Sequence, residues 1–352
     1  MTTKKTKIDN SLTDDSKSSD LDLSQLPDPV LITGAAGFIG RYLTNRLLEA
    51  DRRVVAFDVI ACPESLAEDA SVTWIQGDIT NTDQVNEAMQ GCATVFHLAA
   101  VVGDWGGDAL HRSVTVEGTH HIFDAALKLD RRPRIVLASS IVVYGDQINE
   151  QVCHEGLPLG KTFGPYSESK QAQERMAQQY LQRGLDIRIV RPANVYGAGS
   201  KPWVEELCIE LKRGVPVLIG GGDFDAGLVH VDNVVEVLLR AAINGQARGQ
   251  IYNAADEEGV TWKQYMTDLA RICGAPKPRS IPRIVALYLA KAGEKSFRLL
   301  RRENRPPLTL EALNLVGSEH HIDMMKTRRE LGYAPVTRYE AGMAAVEEYL
   351  QG

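Results

Sequence analysis

The sequence predicts a doubly wound α/β fold, a mostly parallel sheet with helices on both faces, carrying a smaller, interleaved C-terminal α/β lobe. Two observations lead there. From Pro29 onward, short apolar runs alternate with longer mixed stretches of helical periodicity. The first run also passes through a glycine-rich turn directly into the first helical stretch. Parallel strands that follow one another in sequence need a crossover over the sheet face, and a helix is the usual way to make one.

Taken in order, strands are expected at 30–33, 53–57, 72–76, 94–98, 135–138 and 187–190, and helices at 37–50, 82–89, 116–129 and 167–182. Each strand is a short apolar run and each helix a longer mixed stretch of helical pattern. After Asn194 the alternation loosens, and 203–220 and 260–350 read as helices with short strands. Residues 1–28 hold many Lys, Asp and Ser but few large apolar side chains, so a flexible tail is expected there. The implied division is a tail at 1–28, a first domain at 29–195 rejoined by roughly 222–255, and a lobe at 196–352.

Composition excludes several classes. The 352-residue chain has a formal net charge of −7, which argues against general nucleic-acid binding, where basic charge must displace counterions. That mean hides a cluster: 279–305 holds eight Lys and Arg against two Glu. Five widely spaced cysteines form no CxxC pair, and the adjacent pairs His120-His121 and His320-His321 do not share a metal geometry. No metal site, disulfide framework, secretory leader or spanning helix is expected, and the cytoplasm is the expected compartment.

The glycine turn reads Thr33-Gly34-Ala35-Ala36-Gly37-Phe38-Ile39-Gly40. Between a strand and a helix, Gly34 permits the tight turn, Gly37 lets backbone approach a pyrophosphate and Gly40 lets the helix pack on the sheet. The amides of Phe38 and Ile39 then face the phosphates at the helix start. Asp58, 18 residues after Gly40, ends the second strand at the place of a ribose-binding carboxylate, which favours NAD over NADP. Arg52 and Arg53 nearby pull the other way. Asp78 and Ile79 follow the third strand, where Asp78 either meets an adenine or caps the next helix.

Tyr166 and Lys170 lie four apart, on one face of a helix. A phenol with an ordinary pKa near 10 needs a neighbouring cation to act as a base at neutral pH, and Lys170 is placed to provide it. Ser140, at the end of the fifth strand, completes a general acid/base set.

Together with His97-Leu98-Ala99-Ala100, 139–145, Arg191-Pro192-Ala193-Asn194-Val195-Tyr196-Gly197 and His230-Val231-Asp232, these motifs make the chain resemble the extended short-chain dehydrogenases/reductases over nearly all of 29–350. The resemblance implies a Rossmann-type fold, a bound NAD(P), catalysis by Ser140, Tyr166 and Lys170, and a homodimer through the helix of Tyr166. It adds Ala99, Ala100, Pro192 and Asn194 to the cofactor contacts. One departure is Thr115, where the family usually has asparagine.

Within that family, dehydratases carry an acidic pair after the catalytic hydroxyl residue; Ile141 and Val142 stand there instead. Nucleotide-sugar enzymes usually place an arginine at the position of Ala226 to clamp a diphosphate. The segments 230–234, 305–309 and 331–335 resemble the 3β-hydroxysteroid dehydrogenase branch, which implies a small lipophilic substrate. The expected reaction is therefore hydride transfer between NAD and a hydrophobic secondary alcohol or ketone, 3β-hydroxysteroid-like or β-hydroxyacyl. A nucleotide-sugar 4-epimerase with tightly held NAD is the alternative, and a non-catalytic NAD sensor a weaker one. Candidate substrate residues are Val102, Asp104 and Trp105 in the loop after the fourth strand, with Ile141, Asn194 and Trp203. Apolar and basic residues share the stretch 281–302, which either packs as an ordinary helix of the lobe or meets a membrane surface.

Overall fold

The computed structural model describes residues 21–300, 302 and 304–352. Seven parallel strands form the main sheet: β1 (Val30–Thr33), β2 (Val54–Asp58), β3 (Val72–Gln76), β4 (Thr94–His97), β5 (Arg134–Ala138), β6 (Asp186–Pro192) and β7 (Ile251–Ala254). They lie in the order β7-β6-β5-β4-β1-β2-β3. The chain thus runs outward from β1 to β3, returns to β4 on the other side of β1 and continues to β7. This reversal opens a crevice at the carboxyl ends of β1 and β4, where ligands bind in open α/β sheets.

The inner strands are buried on both faces, so their side chains alternate between two cores, while the edge strand β3 is partly exposed. On β1, Val30 and Ile32 join one apolar cluster and Leu31 the other. The helices that position the site are α1 (Phe38–Leu48), α2 (Thr82–Met89), α3 (Gly118–Lys128), α4 (Pro165–Gln182), α5 (Val231–Ile243), α6 (Arg283–Leu299) and α7 (Leu310–Val316). α3 continues a π-helical turn, His111–Glu117. In the second lobe Trp262, Tyr265, Met266, Leu269 and Met343 pack into a third cluster, beside two short parallel strand pairs.

The strands match the sequence pattern to within about two residues at each end. β7 carries no strong pattern of its own in Ile-Tyr-Asn-Ala; its pairing with β6, Ile251 opposite Ile189, defines it. The expected tail needs correction. Residues 1–20 lie outside the described residues, but 21–28 is folded onto the domain. Leu23 and Leu26 are buried in the first core cluster, the Thr94 hydroxyl donates to the Pro27 carbonyl at 2.7 Å, and Asp28 pairs with Arg53 at 2.8 Å. Two leucines three apart are enough to anchor a short segment once a groove exists for them.

Candidate active site

The glycine turn is built as a tight cradle. Gly34 has φ +73°, and a Cβ there would lie 2.9 Å from the Ala99 amide nitrogen. A Cβ on Gly40 would stand 2.2 Å from the Gly34 carbonyl oxygen, so α1 approaches the turn more closely than any side chain allows. Gly37 caps α1 with no side chain, leaving the first-turn amides of Phe38 and Ile39 without a side-chain cap. The Asp58 carboxylate accepts a hydrogen bond from the Ala36 amide at 2.9 Å and one from the Ile60 amide at 3.0 Å. One bond fixes the acid against the glycine turn. These features fit a dinucleotide, with open amides for the pyrophosphate and a fixed carboxylate for the ribose.

Arg52 and Arg53 stand at the opposite end of β2 from Asp58 and are held by Asp28. At about 3.3 Å per residue they lie well away from the ribose position. Asp78 is exposed and accepts from the Thr80 amide at 2.8 Å, while Asn81 caps α2 and Ile79 is buried. Ala99 donates its amide to the Thr33 hydroxyl at 3.3 Å, and Ala100 beside it is half-buried. Thr115, in the π turn, accepts the Val101 amide at 2.9 Å and so pins the loop after β4 without the family's asparagine. Pro192 ends β6 opposite Ala254.

Ser140, Tyr166 and Lys170 converge at the carboxyl end of β5. Ser140 hydrogen-bonds the Tyr166 phenol, and its hydroxyl also accepts the Val142 amide at 3.3 Å. The buried Lys170 ammonium donates to the Ala138 carbonyl at 2.8 Å and lies 5.9 Å from the centre of the Tyr166 ring. Burial pushes Tyr166 up to about 12, against the Ser140 hydrogen bond, which lowers it. Burial also brings Lys170 down to about 8, although Glu174 opposes this. The chain alone therefore keeps the phenol protonated; a base here needs further positive charge beside it.

The loop after β4 is tied to the second lobe. Asp104 accepts two hydrogen bonds from the Arg305 guanidinium, at 2.5 and 2.6 Å, and a third from the Thr309 hydroxyl at 2.5 Å. Trp105 meets the Phe297 ring edge-on at 6.2 Å, with Arg298 stacked 5.5 Å above it. Val102 is 69% exposed at the loop tip. Other candidate substrate residues take packing positions. Ile141 is buried in the first core cluster, Trp203 packs on Trp262 at 5.5 Å, and the Asn194 amide donates to the Ala226 carbonyl at 2.7 Å.

Sequence reasoning missed the support beneath the site. Glu174 accepts the Ser139 hydroxyl at 2.6 Å and two bonds from Arg191, at 2.9 and 2.6 Å, all buried. The signal existed, since Tyr166, Lys170 and Glu174 repeat every four residues on one face of α4. His111 stands 6.3 Å from the Tyr166 ring, and burial lowers its pKa. Glu311, from α7, accepts the Ser167 amide at 2.8 Å, a contact with no local signature.

A family described as NAD dependent epimerase/dehydratase family matches residues 30–255. A 3-beta-hydroxysteroid dehydrogenase of Mycolicibacterium neoaurum is 30% identical over 339 residues, covering 91% of this chain and 90% of that protein. A 2-alkyl-3-oxoalkanoate reductase of Shewanella oneidensis is 25% identical over 333 residues, covering 91% and 85%. Among solved structures, the UDP-glucuronic acid 4-epimerase of Bacillus cereus in complex with NAD superposes with a TM-score of 0.72 at 21% identity, covering 92% of this chain and 98% of that one; this likeness concerns the fold. The match of the family to most of the chain, on a sheet and cradle of this geometry, makes the protein a member of the NAD-dependent epimerase/dehydratase family and an NAD-dependent oxidoreductase of the extended short-chain dehydrogenase/reductase type.

Proposed function

We propose that the protein interconverts a hydrophobic secondary alcohol and its ketone, of 3β-hydroxysteroid-like or β-hydroxyacyl class, using NAD. The observation that carries this reading is the contact between the loop after β4 and the second lobe. Trp105 meets Phe297 there edge-on, and Arg305 is already neutralised by Asp104. The buried Ala226 stands where a diphosphate-clamping arginine would be expected. An aromatic contact beside that loop, with its neighbouring charge internally paired, favours an uncharged lipophilic substrate over a nucleotide sugar.

Bound NAD supplies the hydride acceptor or donor at its nicotinamide and, when oxidised, positive charge beside the phenol. Ser140 holds the substrate oxygen by a hydrogen bond. Tyr166 takes the hydroxyl proton in oxidation and returns it in reduction. Lys170 orients the cofactor ribose and, as a cation on the same helix face, favours phenolate. Wild-type protein offered secondary alcohols, sterols, β-hydroxyacyl compounds and UDP-sugars should generate NADH only with the lipophilic members. Conversion of a UDP-sugar to its 4-epimer without release of NADH would overturn the reading.

The same assay resolves the cofactor. Asp58 is followed by exposed Val59 and Ile60, not by a base that could receive a 2′-phosphate. NAD is therefore the proposed cofactor. Asp58→Ala should weaken NAD by about tenfold, the loss of a charge-assisted hydrogen-bond pair, and narrow its advantage over NADP. An unchanged NAD/NADP ratio would remove Asp58 from the ribose site.

We also propose that α6 rests on an anionic membrane surface from which such a substrate is drawn. Only Ala286 and Ala290 of this helix are buried; Ile284, Tyr288 and Leu289 are 64%, 69% and 56% exposed, beside exposed Lys291, Lys295 and Arg298. Among the described residues no helix is long and apolar enough to cross a membrane. An apolar row next to a basic row suits the headgroup boundary of an acidic bilayer. Co-sedimentation with phosphatidylserine vesicles should exceed that with phosphatidylcholine vesicles by about tenfold and fall in Tyr288→Glu/Leu289→Glu. Equal recovery on both vesicles would exclude the contact.

A further inference from the structure

Glu311 has no part in the mechanism above, yet it is 3% exposed and touches the helix that carries the catalytic phenol. α4 begins at Gly164, an N-cap with no side chain to satisfy the first amides. One carboxylate oxygen of Glu311 accepts the Ser167 amide at 2.8 Å and so caps α4 from the other lobe. The second oxygen is buried without a hydrogen-bond partner. It faces Gly164 so closely that a Cβ there would stand 2.1 Å away. The segment is anchored from both sides: Thr309 caps α7 through the Ala312 amide at 3.0 Å and donates to Asp104, which grips Arg305.

We propose that Glu311 is a positioning residue for Tyr166, its carboxylate capping the amide of Ser167, the next residue, and so fixing the first turn of α4. The inference rests on Tyr166 being the acid/base group. The charged and titratable groups around the pair are Glu168 and Lys170 on α4, Asp104 in the loop after β4 and His111 in the π turn, with Arg305 paired to Asp104 on the segment before α7. Burial, with Asp104 and Glu168 adding to it, pushes Glu311 up to about 7 against the Ser167 hydrogen bonds. It therefore ionises near neutrality, and its charge then raises the Tyr166 pKa.

Glu311→Gln keeps an acceptor for Ser167 and removes the charge. The phenol should then titrate lower, moving the acidic limb of the oxidation rate to lower pH by about 0.5 unit with little change in kcat. Glu311→Ala removes acceptor and charge together, and kcat should fall by about tenfold while NAD affinity stays within about twofold. Phenol ionisation is also read without substrate, by ultraviolet difference titration of the NAD-bound protein against Tyr166→Phe. The Glu311→Gln curve should shift in the same direction. If wild type oxidises no alcohol in the panel, the proposed function fails, and the phenol titration still decides the role of Glu311. Superimposable titrations of wild type and Glu311→Gln, or full kcat in Glu311→Ala, would overturn the proposal.

Discussion

Replacing Tyr166 by phenylalanine should lower NAD-linked turnover by about 10²–10⁴-fold, the usual contribution of a positioned acid/base group. Affinity for NAD should change little. The ring keeps its shape and its place on α4; only the hydroxyl that bonds Ser140 is lost. Transfer of the carbinol proton then has no phenol to accept it at the end of β5, and the Lys170 ammonium, which donates to the Ala138 carbonyl, is no acceptor. Steady-state kcat and NAD binding by calorimetry separate the two effects. A Tyr166→Phe enzyme with wild-type turnover would end the mechanism.

The second large effect concerns stability. Arg191→Met should cost about 3–5 kcal/mol, the range seen when one member of a buried ion pair is removed. The loss arises less from the missing attraction than from what remains: a Glu174 carboxylate, 3% exposed, that keeps the Ser139 hydroxyl as hydrogen-bond donor but has lost both guanidinium bonds. The guanidinium also stacks 4.7 Å from the Tyr144 ring, and its loss opens space there. Urea unfolding gives the value directly. The double variant Glu174→Gln/Arg191→Met should recover part of the loss, since the Glu174 carboxylate is then no longer stranded. If the double variant is less stable than the sum of both single losses, the ion pair is not the source.

These two sites differ in how legible they were. Tyr166, Lys170 and the glycine turn are local patterns: four residues on a helix, or a strand–turn–helix with glycines at set places. Backbone geometry alone gives such patterns their meaning. The Glu174–Arg191 pair was half visible, because helix periodicity puts Glu174 below Lys170, but its partner lies on β6, and only the sheet order brings them together. Asp104 and Trp105 stood among the candidates, yet their partners Arg305, Thr309 and Phe297 are about 200 residues away. Trp203 and Ile141 show the reverse: aromatic or apolar residues near a site motif turned inward to pack, since burying them is the larger gain.

By itself the sequence determined the alternating parallel fold and the glycine turn, and it marked Tyr166 and Lys170 as one helix face, because each depends on the spacing of neighbours along the chain. The tertiary structure decided which second-lobe side chains meet the loop after β4, which charges are neutralised there and which distant carboxylate caps α4. Those depend on side chains from separate segments meeting in a buried space, where desolvation makes every unpaired charge costly and pairing decisive.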